Sequence, residues 1–265
     1  MSGFLVINPH SGDDEPSAEE LRAEAESLGI DVHLLGEGDD PAELARNASG
    51  GPLGMAGGDG SLAAVAEVAI ERGVPFVVIP FGTRNHFARD LGLDRDDPVA
   101  ALRAFEGEER QIDIGAVNDR PFLNNVSLGL YARLVNRREH HRRRRAVLAR
   151  VRAFAILLRH PGPLGLTVGG DPIKARILFV GNNKYTLEFL ELGERDRLDE
   201  GLLHLYGAKG LLPTSWDERT GERFEVGARR EKISAAIDGE PELLDQPLRF
   251  EIRPRALRVL VPPGS

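Results

Sequence analysis

Met55-Ala56-Gly57-Gly58-Asp59-Gly60-Ser61 lies between an apolar run, Pro52 to Ala56, and a helix-forming stretch, Leu62 to Arg72. The pattern predicts a short buried strand, a glycine-rich turn and a helix. Glycines at a strand-to-helix turn let backbone N–H groups come close to a ligand, and the helix N-terminus adds partial positive charge. Gly57, Gly58, Gly60 and Ser61 are therefore candidates for cradling phosphate. Asp59 would repel a bare anion; it fits if a divalent cation or a water network lies between. The same residues would also make a plain turn with an N-capping aspartate.

Working outward, the strand–helix alternation continues on both sides. Phe4 to Ile7 is a continuous apolar run ending in Asn8-Pro9-His10-Ser11-Gly12. Pro16 to Leu28 reads as a helix with Leu21, Ala25 and Leu28 on one side, and Asp31 to Leu35 reads as a strand. Pro41 to Ala48 is a short helix, Val74 to Ile79 another apolar strand, and Pro98 to Phe105 helix-like. Such alternation argues an open parallel sheet covered on both faces. Parallel strands would bring Asn8, the Gly57–Ser61 turn and Pro80-Phe81-Gly82-Thr83-Arg84-Asn85 to one sheet edge, where open α/β sheets bind ligands. Asn8 could hydrogen-bond a nucleotide there, or serve turn chemistry alone.

Beyond residue 110 the pattern changes. Gln111 to Val117, Pro121 to Ser127, Ala175 to Gly181, Leu202 to Tyr206, Arg223 to Val226, Lys232 to Ile237, Leu248 to Ile252 and Leu257 to Val261 read as short strands without intervening helices. That pattern predicts an antiparallel β-sandwich. The expected organisation is an α/β nucleotide-binding domain over 1–110 and a β-rich domain over 111–265, whose last strand could return to the first domain. Charge follows the same division. Residues 1–110 carry 22 acidic side chains against 8 arginines, while the remainder carries 20 acidic against 26 basic. The basic residues concentrate in Arg137 to Arg145, followed by apolar Val147, Leu148, Val151, Phe154, Ile156, Leu157 and Leu158. A basic and apolar helix suits anionic lipid at a membrane surface; a solvated face and a nucleic-acid patch are the competing readings. Nucleic acid is not expected as a partner, because the chain as a whole is acidic and has no nucleic-acid-binding motif.

Composition excludes several chemistries. There is no cysteine, hence no disulfide, thiolate metal site or cysteine nucleophile. Neither a G-x-x-x-x-G-K-[S/T] phosphate loop nor a strand-linked G-x-G-x-x-G with a later acid occurs. No basic segment leads into a long apolar run, and no apolar stretch approaches 18 residues, so a soluble, cytoplasmic chain is expected, peripheral at most on the inner face of the membrane.

Gly57-Gly58-Asp59-Gly60-Ser61, followed by Pro80-Phe81-Gly82-Thr83-Arg84-Asn85-His86-Phe87-Ala88-Arg89-Asp90-Leu91-Gly92, resembles the diacylglycerol/sphingosine lipid kinase family. The glycine motif is shared with NAD kinases and phosphofructokinases; the second block is more specific to bacterial lipid kinases. The resemblance extends to Phe122-Leu123-Asn124-Asn125-Val126-Ser127-Leu128-Gly129, where NAD kinases typically show an Asn-Glu pair. It implies ATP held by Asn8, the glycine turn, Thr83 and Asn85, with Asp59 tied to Mg²⁺ and phosphates. Arg197-Leu198-Asp199-Glu200-Gly201-Leu202 is similar to the family's leucine-aspartate-aspartate-glycine turn, which binds a structural Mg²⁺. Its ligands here would be the Glu200 carboxylate and the carbonyls of Arg197 and Leu202. Ile237-Asp238-Gly239-Glu240-Pro241 resembles the family's aspartate-glycine-glutamate motif, which assigns the proton-accepting base to Glu240. By spacing alone Asp238-Gly239 reads as a hairpin turn.

The chain departs from the family pattern at Asp13-Asp14-Glu15, where a basic residue is usual, at His86, which replaces an aspartate, and at Tyr185-Thr186-Leu187, which replaces tyrosine-glycine-glycine. The resemblance implies transfer of the γ-phosphate of ATP to a lipid hydroxyl, as in diacylglycerol, in a cleft between the domains. A soluble-substrate kinase of the NAD kinase type and a non-catalytic nucleotide- or lipid-sensing module stand as the alternatives. An exposed sheet edge could pair two copies into a homodimer.

Overall fold

Three apolar runs too short for buried helices, with the mixed Asp31–Leu34 beside them, become parallel strands, and helices with one apolar face cover them. This is seen in a computed structural model that describes residues 3–11, 16–82, 85–129, 164–188, 191–208, 216–229 and 231–264. Thr83 and the 137–158 segment expected to touch membrane lie outside the described residues. The chain divides into two units: residues 1–114, 196–199 and 253–265 form the first, and 115–195 with 200–252 the second.

In the first unit the elements run β1 (Phe4–Ile7), α1 (Ala18–Ser27), β2 (Asp31–Leu34), α2 (Pro41–Asn47), β3 (Leu53–Gly57), α3 (Asp59–Arg72), β4 (Phe76–Pro80), α4 (His86–Asp90) and α5 (Pro98–Ala101). A 3-10 turn, Leu102–Glu106, leads into β5 (Glu108–Val117). Strand order is β2-β1-β3-β4, all parallel, and the chain returns at its end to add a further parallel strand, Val259 pairing with Phe76. The predicted α1 gains a capping box: the Ser17 hydroxyl accepts from Glu20 N at 3.2 Å while the Glu20 carboxylate accepts from Ser17 N at 2.7 Å. Leu21 and Ala25 are its buried face, packed with Leu5, Ile7 and Val77. Helix α3 ends at Gly73, whose φ of 62° is the left-handed stop that favours glycine.

One boundary differs in a way that matters. The helix expected from Leu62 begins at Asp59, so the carboxylate sits in its first turn rather than in a preceding loop. Helix-favouring alanines do not reveal this start, because the N-terminal turn is made by glycine, aspartate and serine, residues equally at home in loops.

The second unit is antiparallel. Its strands are β6 (Arg120–Phe122), β7 (Asn125–Gly129), β8 (Leu166–Val168), β9 (Asp171–Pro172), β10 (Ile177–Asn182), β11 (Leu187–Glu188), β12 (Glu191–Leu192), β13 (Leu203–Ala208), β14 (Trp216–Gly221), β15 (Arg223–Ala228), β16 (Lys232–Ile237) and β17 (Glu240–Asp245). One sheet runs β14-β13-β10-β7-β16-β17. Facing it, β8 and β15 pair with each other and β15 with the start of β18 (Leu248–Val261). Val126, Leu178, Leu205 and Ile233 from one sheet pack with Val226 and Phe250 from the other, which makes the sandwich core.

The strand assignments beyond residue 110 need correction in several places. Pro121 to Ser127 is two strands, broken at Leu123-Asn124. Leu248–Ile252 and Leu257–Val261 are one continuous strand, whose early residues pair with β15 and whose late residues pair with β4. Trp216–Gly221 and Glu240–Asp245 are strands that the sequence did not suggest, since Asp217-Glu218-Arg219-Thr220 and Pro241 carry little strand preference. Both are sheet edges, where charge and proline are tolerated.

Candidate active site

In the first unit Ile7 stands opposite Ala56, and Gly57 opposite Pro80. The carboxyl ends of β1, β3 and β4 are therefore level, and Asn8, Gly58 and Phe81-Gly82 follow them side by side. Because β2 lies on one side of β1 and β3 on the other, this is the point where the winding of the sheet reverses, the usual ligand position in such sheets.

The glycines are there for close approach. A Cβ on Gly82 would lie 2.7 Å from Gly58 Cα and 2.8 Å from Asn85 Oδ1, so the two turns meet backbone to backbone. A Cβ on Gly57 would lie 3.0 Å from Met55 Cε and 3.2 Å from Ser61 Cβ. Gly58 differs: among the described residues nothing lies within 4 Å of the place its Cβ would take. Gly58 is the N-cap of α3 and provides no side-chain hydrogen bond, leaving a long helix that begins with uncapped donors next to open space. That arrangement suits an oxyanion.

Asp59 does not cap its own helix. Its carboxylate accepts from His86 N at 3.3 Å and Phe87 N at 3.1 Å, capping α4 instead and tying the two helix starts together. A carboxylate has about four acceptor positions, so capacity remains on each oxygen for a cation or its water. Asn85 precedes α4 with φ 47°, donates from Nδ2 to the Gly82 carbonyl at 2.8 Å, and is 3% exposed. Its Oδ1 is buried without a hydrogen-bond partner, an acceptor whose burial is costly until a donor arrives. Asn8 uses its Oδ1 for the turn, accepting from His10 N at 3.0 Å, which leaves its Nδ2 as the group available to a ligand. Asn8, Gly57, Gly58, Asp59, Gly60, Ser61 and Asn85 thus gather at one edge. The residue set fits a nucleotide polyphosphate with its cation.

In the second unit, Ile237 pairs with Glu240 across Asp238 (φ 47°) and Gly239 (φ 86°), a two-residue hairpin of the primed type. Glu240 is half-buried at the start of β17. Asp238 does more than turn the chain. Its buried carboxylate accepts from Leu123 N at 2.7 Å, Asn124 N at 2.7 Å and Asn125 N at 3.1 Å. Those residues form the break between β6 and β7. From the other side Arg195, 3% exposed, donates to the Leu123 carbonyl at 2.8 Å, the Asn182 carbonyl at 3.1 Å and Asn124 Oδ1 at 2.8 Å. The motif's two halves, Asn124-Asn125 and Asp238-Gly239-Glu240, are therefore bonded into one piece. Sequence reading missed Asp238 as a clamp and Arg195 altogether. An aspartate before glycine in a hairpin has no separate local signal of burial, and Arg195 stands in the charged run Glu194–Arg197.

The turn expected to bind a structural Mg²⁺ is tied to its neighbours by hydrogen bonds. Glu200 Oε2 accepts from Lys184 N at 2.9 Å and lies 3.3 Å from His204 Nε2. The Leu202 carbonyl accepts from Asn183 N at 3.0 Å, and the Arg197 side chain pairs with Asp199 at 3.0 Å. Among the described residues no cluster of three or more His, Asp or Glu side chains could hold a metal. Glu200 Oε2 is thus engaged by one backbone amide, while the carboxylate, with about four acceptor positions, keeps capacity for a further partner.

Comparison with known proteins agrees with the motifs. Residues 2–117 match the diacylglycerol kinase catalytic domain. A Pseudomonas aeruginosa (strain UCBPP-PA14) protein named "Probable lipid kinase YegS-like" is 32% identical over 246 residues, covering 79% of this chain and 76% of that protein. A Klebsiella pneumoniae (strain 342) protein of the same name is 27% identical over 292 residues, covering 99% of this chain and 96% of its own. Among solved structures, a diacylglycerol kinase from Bacillus anthracis shares the fold with a TM-score of 0.70 at 16% identity, over 98% of this chain and 96% of that one. With residues 2–117 matching that catalytic domain and a lipid kinase relative 32% identical over 79% of the chain, the chain belongs to the diacylglycerol-kinase-type family of lipid kinases.

Proposed function

We propose that the chain transfers the γ-phosphate of ATP to the hydroxyl of a lipid such as diacylglycerol. The observation that supports this most is the level edge of β1, β3 and β4, where bare glycine backbone, an uncapped helix start and Asp59 meet. Gly57, Gly58 and Gly60 take the phosphates on backbone N–H groups, with the Ser61 and Thr83 hydroxyls beside them. Asn8 and Asn85 orient the nucleotide, and Asp59 holds the cation. When bound, Mg-ATP supplies the phosphoryl group and the charge that neutralises its oxygens. Glu240 accepts the proton of the lipid hydroxyl, for which a half-buried carboxylate is suited. The basic and apolar 137–158 segment brings the enzyme to anionic lipid on the inner face of the membrane.

Labelled ATP with Mg²⁺ and lipids in mixed micelles, run beside NAD, tests this. One lipid should take the label. Asp59→Ala and Glu240→Ala should each lower turnover at least about a hundredfold, the latter with nucleotide affinity unchanged. Label on NAD alone would move the activity to a soluble acceptor, and normal turnover by both variants would remove these residues from the chemistry.

A further inference from the structure

The level edge of the first unit runs one strand beyond Asn8. Asn8 N donates to the Ala56 carbonyl at 2.9 Å on one side of β1, and Leu35 N donates to the Ile7 carbonyl at 2.9 Å on the other. Gly36 therefore follows β2 beside Asn8, as Gly57 ends β3 on its far side. The chain then folds back on itself. Asp39 Oδ2 accepts from Gly36 N at 2.8 Å and lies 2.9 Å from Nε2 of His33, a residue of β2. Both bonds fall on one oxygen, so Oδ1 keeps its capacity, and 35% of the side chain is exposed for a ligand to reach. Asp40 differs: its Oδ1 accepts from Ala42 N at 2.8 Å and is spent as the cap of α2. The hydrogen bond with His33, and after it the one from Gly36, hold the Asp39 carboxyl below its ordinary range, so it carries its charge near neutrality.

We propose that Asp39 reads the sugar of the bound nucleotide, accepting the ribose hydroxyl protons on Oδ1 while His33 and Gly36 N fix the other oxygen. This rests on the ATP reading above and adds a residue that sets nucleotide specificity. Neighbouring strands lie about 4.8 Å apart, so the end of β2 is about 10 Å from that of β3. A nucleotide with its phosphates at the Gly58 turn and its body across Asn8 covers that span. A carboxylate accepts and does not donate, so it repels phosphate oxygens and selects the part of the nucleotide that carries hydroxyls. In other open α/β sheets an acidic side chain further along the chain takes the ribose in the same way.

Calorimetric titration of the full chain in Mg²⁺ tests this with three probes: ATP, 2′,3′-dideoxy-ATP, and tripolyphosphate, which has no sugar. The natural chain should hold ATP about tenfold more tightly than the dideoxy nucleotide. Asp39→Ala should lose that preference by weakening ATP about tenfold, with dideoxy-ATP and tripolyphosphate binding as before. Asp39→Asn keeps an acceptor for Gly36 N and His33 without the charge, and should retain only part of the preference. Equal affinity of the natural chain for both nucleotides would overturn the inference and leave the ATP reading standing. A parallel fall for all three probes in Asp39→Ala would overturn it as well, because the side chain would then only close its loop. No binding of either nucleotide would remove the ATP reading and the inference with it. Should Asp39→Ala fail to fold, the natural chain and Asp39→Asn still decide.

Discussion

The Gly58 turn and the Leu123–Asn125 turn both follow strands and both carry polar groups, yet they are built in opposite ways. The first leaves its N-cap without a side-chain bond, keeps open space above Gly58 and buries an acceptor, Asn85 Oδ1, with nothing to meet it. The second has its amides taken by Asp238 and its carbonyl and amide side chain taken by Arg195. A turn that must meet a ligand keeps its hydrogen-bonding capacity in reserve. A turn that must hold a side chain in place consumes that capacity internally, at the stability cost of burying two opposite charges.

The contrast is broken most severely at Asp238. Asp238→Ala leaves three N–H donors, two of them buried, without this acceptor and should cost about 3–5 kcal/mol in denaturant unfolding. Arg195→Met should cost somewhat less, about 2–4 kcal/mol, because carbonyls tolerate an unmet lone pair better than an amide tolerates an unmet proton. If either substitution is nearly neutral, the loop does not depend on its clamps.

The glycine edge offers a sharper pair. Gly82→Ala drives a methyl into Gly58 backbone and should destabilise by about 1–3 kcal/mol while abolishing nucleotide binding. Gly58→Ala meets no atom of the described residues within 4 Å and has an ordinary φ of −79°, so the fold should be unharmed or slightly firmer. Its methyl would nonetheless occupy the space left for a phosphate, and nucleotide affinity should fall at least about tenfold, or about 1.4 kcal/mol. Calorimetric titration with ATP measures both. Equal affinity in Gly58→Ala would mean that the open space is not the ligand's.

The smallest effect concerns the second unit's other face. Burial pushes the Tyr206 phenol well above its ordinary value of 10.0, and its hydroxyl accepts from Tyr185 N at 2.9 Å. Because the folded state favours the neutral phenol, its contribution is fully present below pH 10 and is lost as pH rises further. Tyr206→Phe should flatten that alkaline decline, at a cost of about 1–2 kcal/mol near neutrality for the acceptor lost to Tyr185. Unfolding followed at increasing pH checks the sign.

The sequence by itself determined what depends on neighbours a few residues away. Apolar runs at Phe4–Ile7, Leu53–Ala56 and Phe76–Ile79 made strands, Leu21 and Ala25 made one face of a helix, Ser17 with Glu20 made a cap, and Asp238-Gly239 made a hairpin. The motif order was enough to indicate the family and the edge where Asn8, Gly57 and Asn85 gather. Tertiary structure alone decided which partner each polar group found. Asp59 caps a helix that starts 27 residues later, Asp238 binds amides more than 110 residues earlier, and Arg195 reaches a loop about 70 residues back. It also decided that Leu248 to Val261 is one strand. Periodicity and turn chemistry act within a few residues and are written locally. The satisfaction of a buried charge depends on what packing brings alongside it, and no spacing in the chain records that.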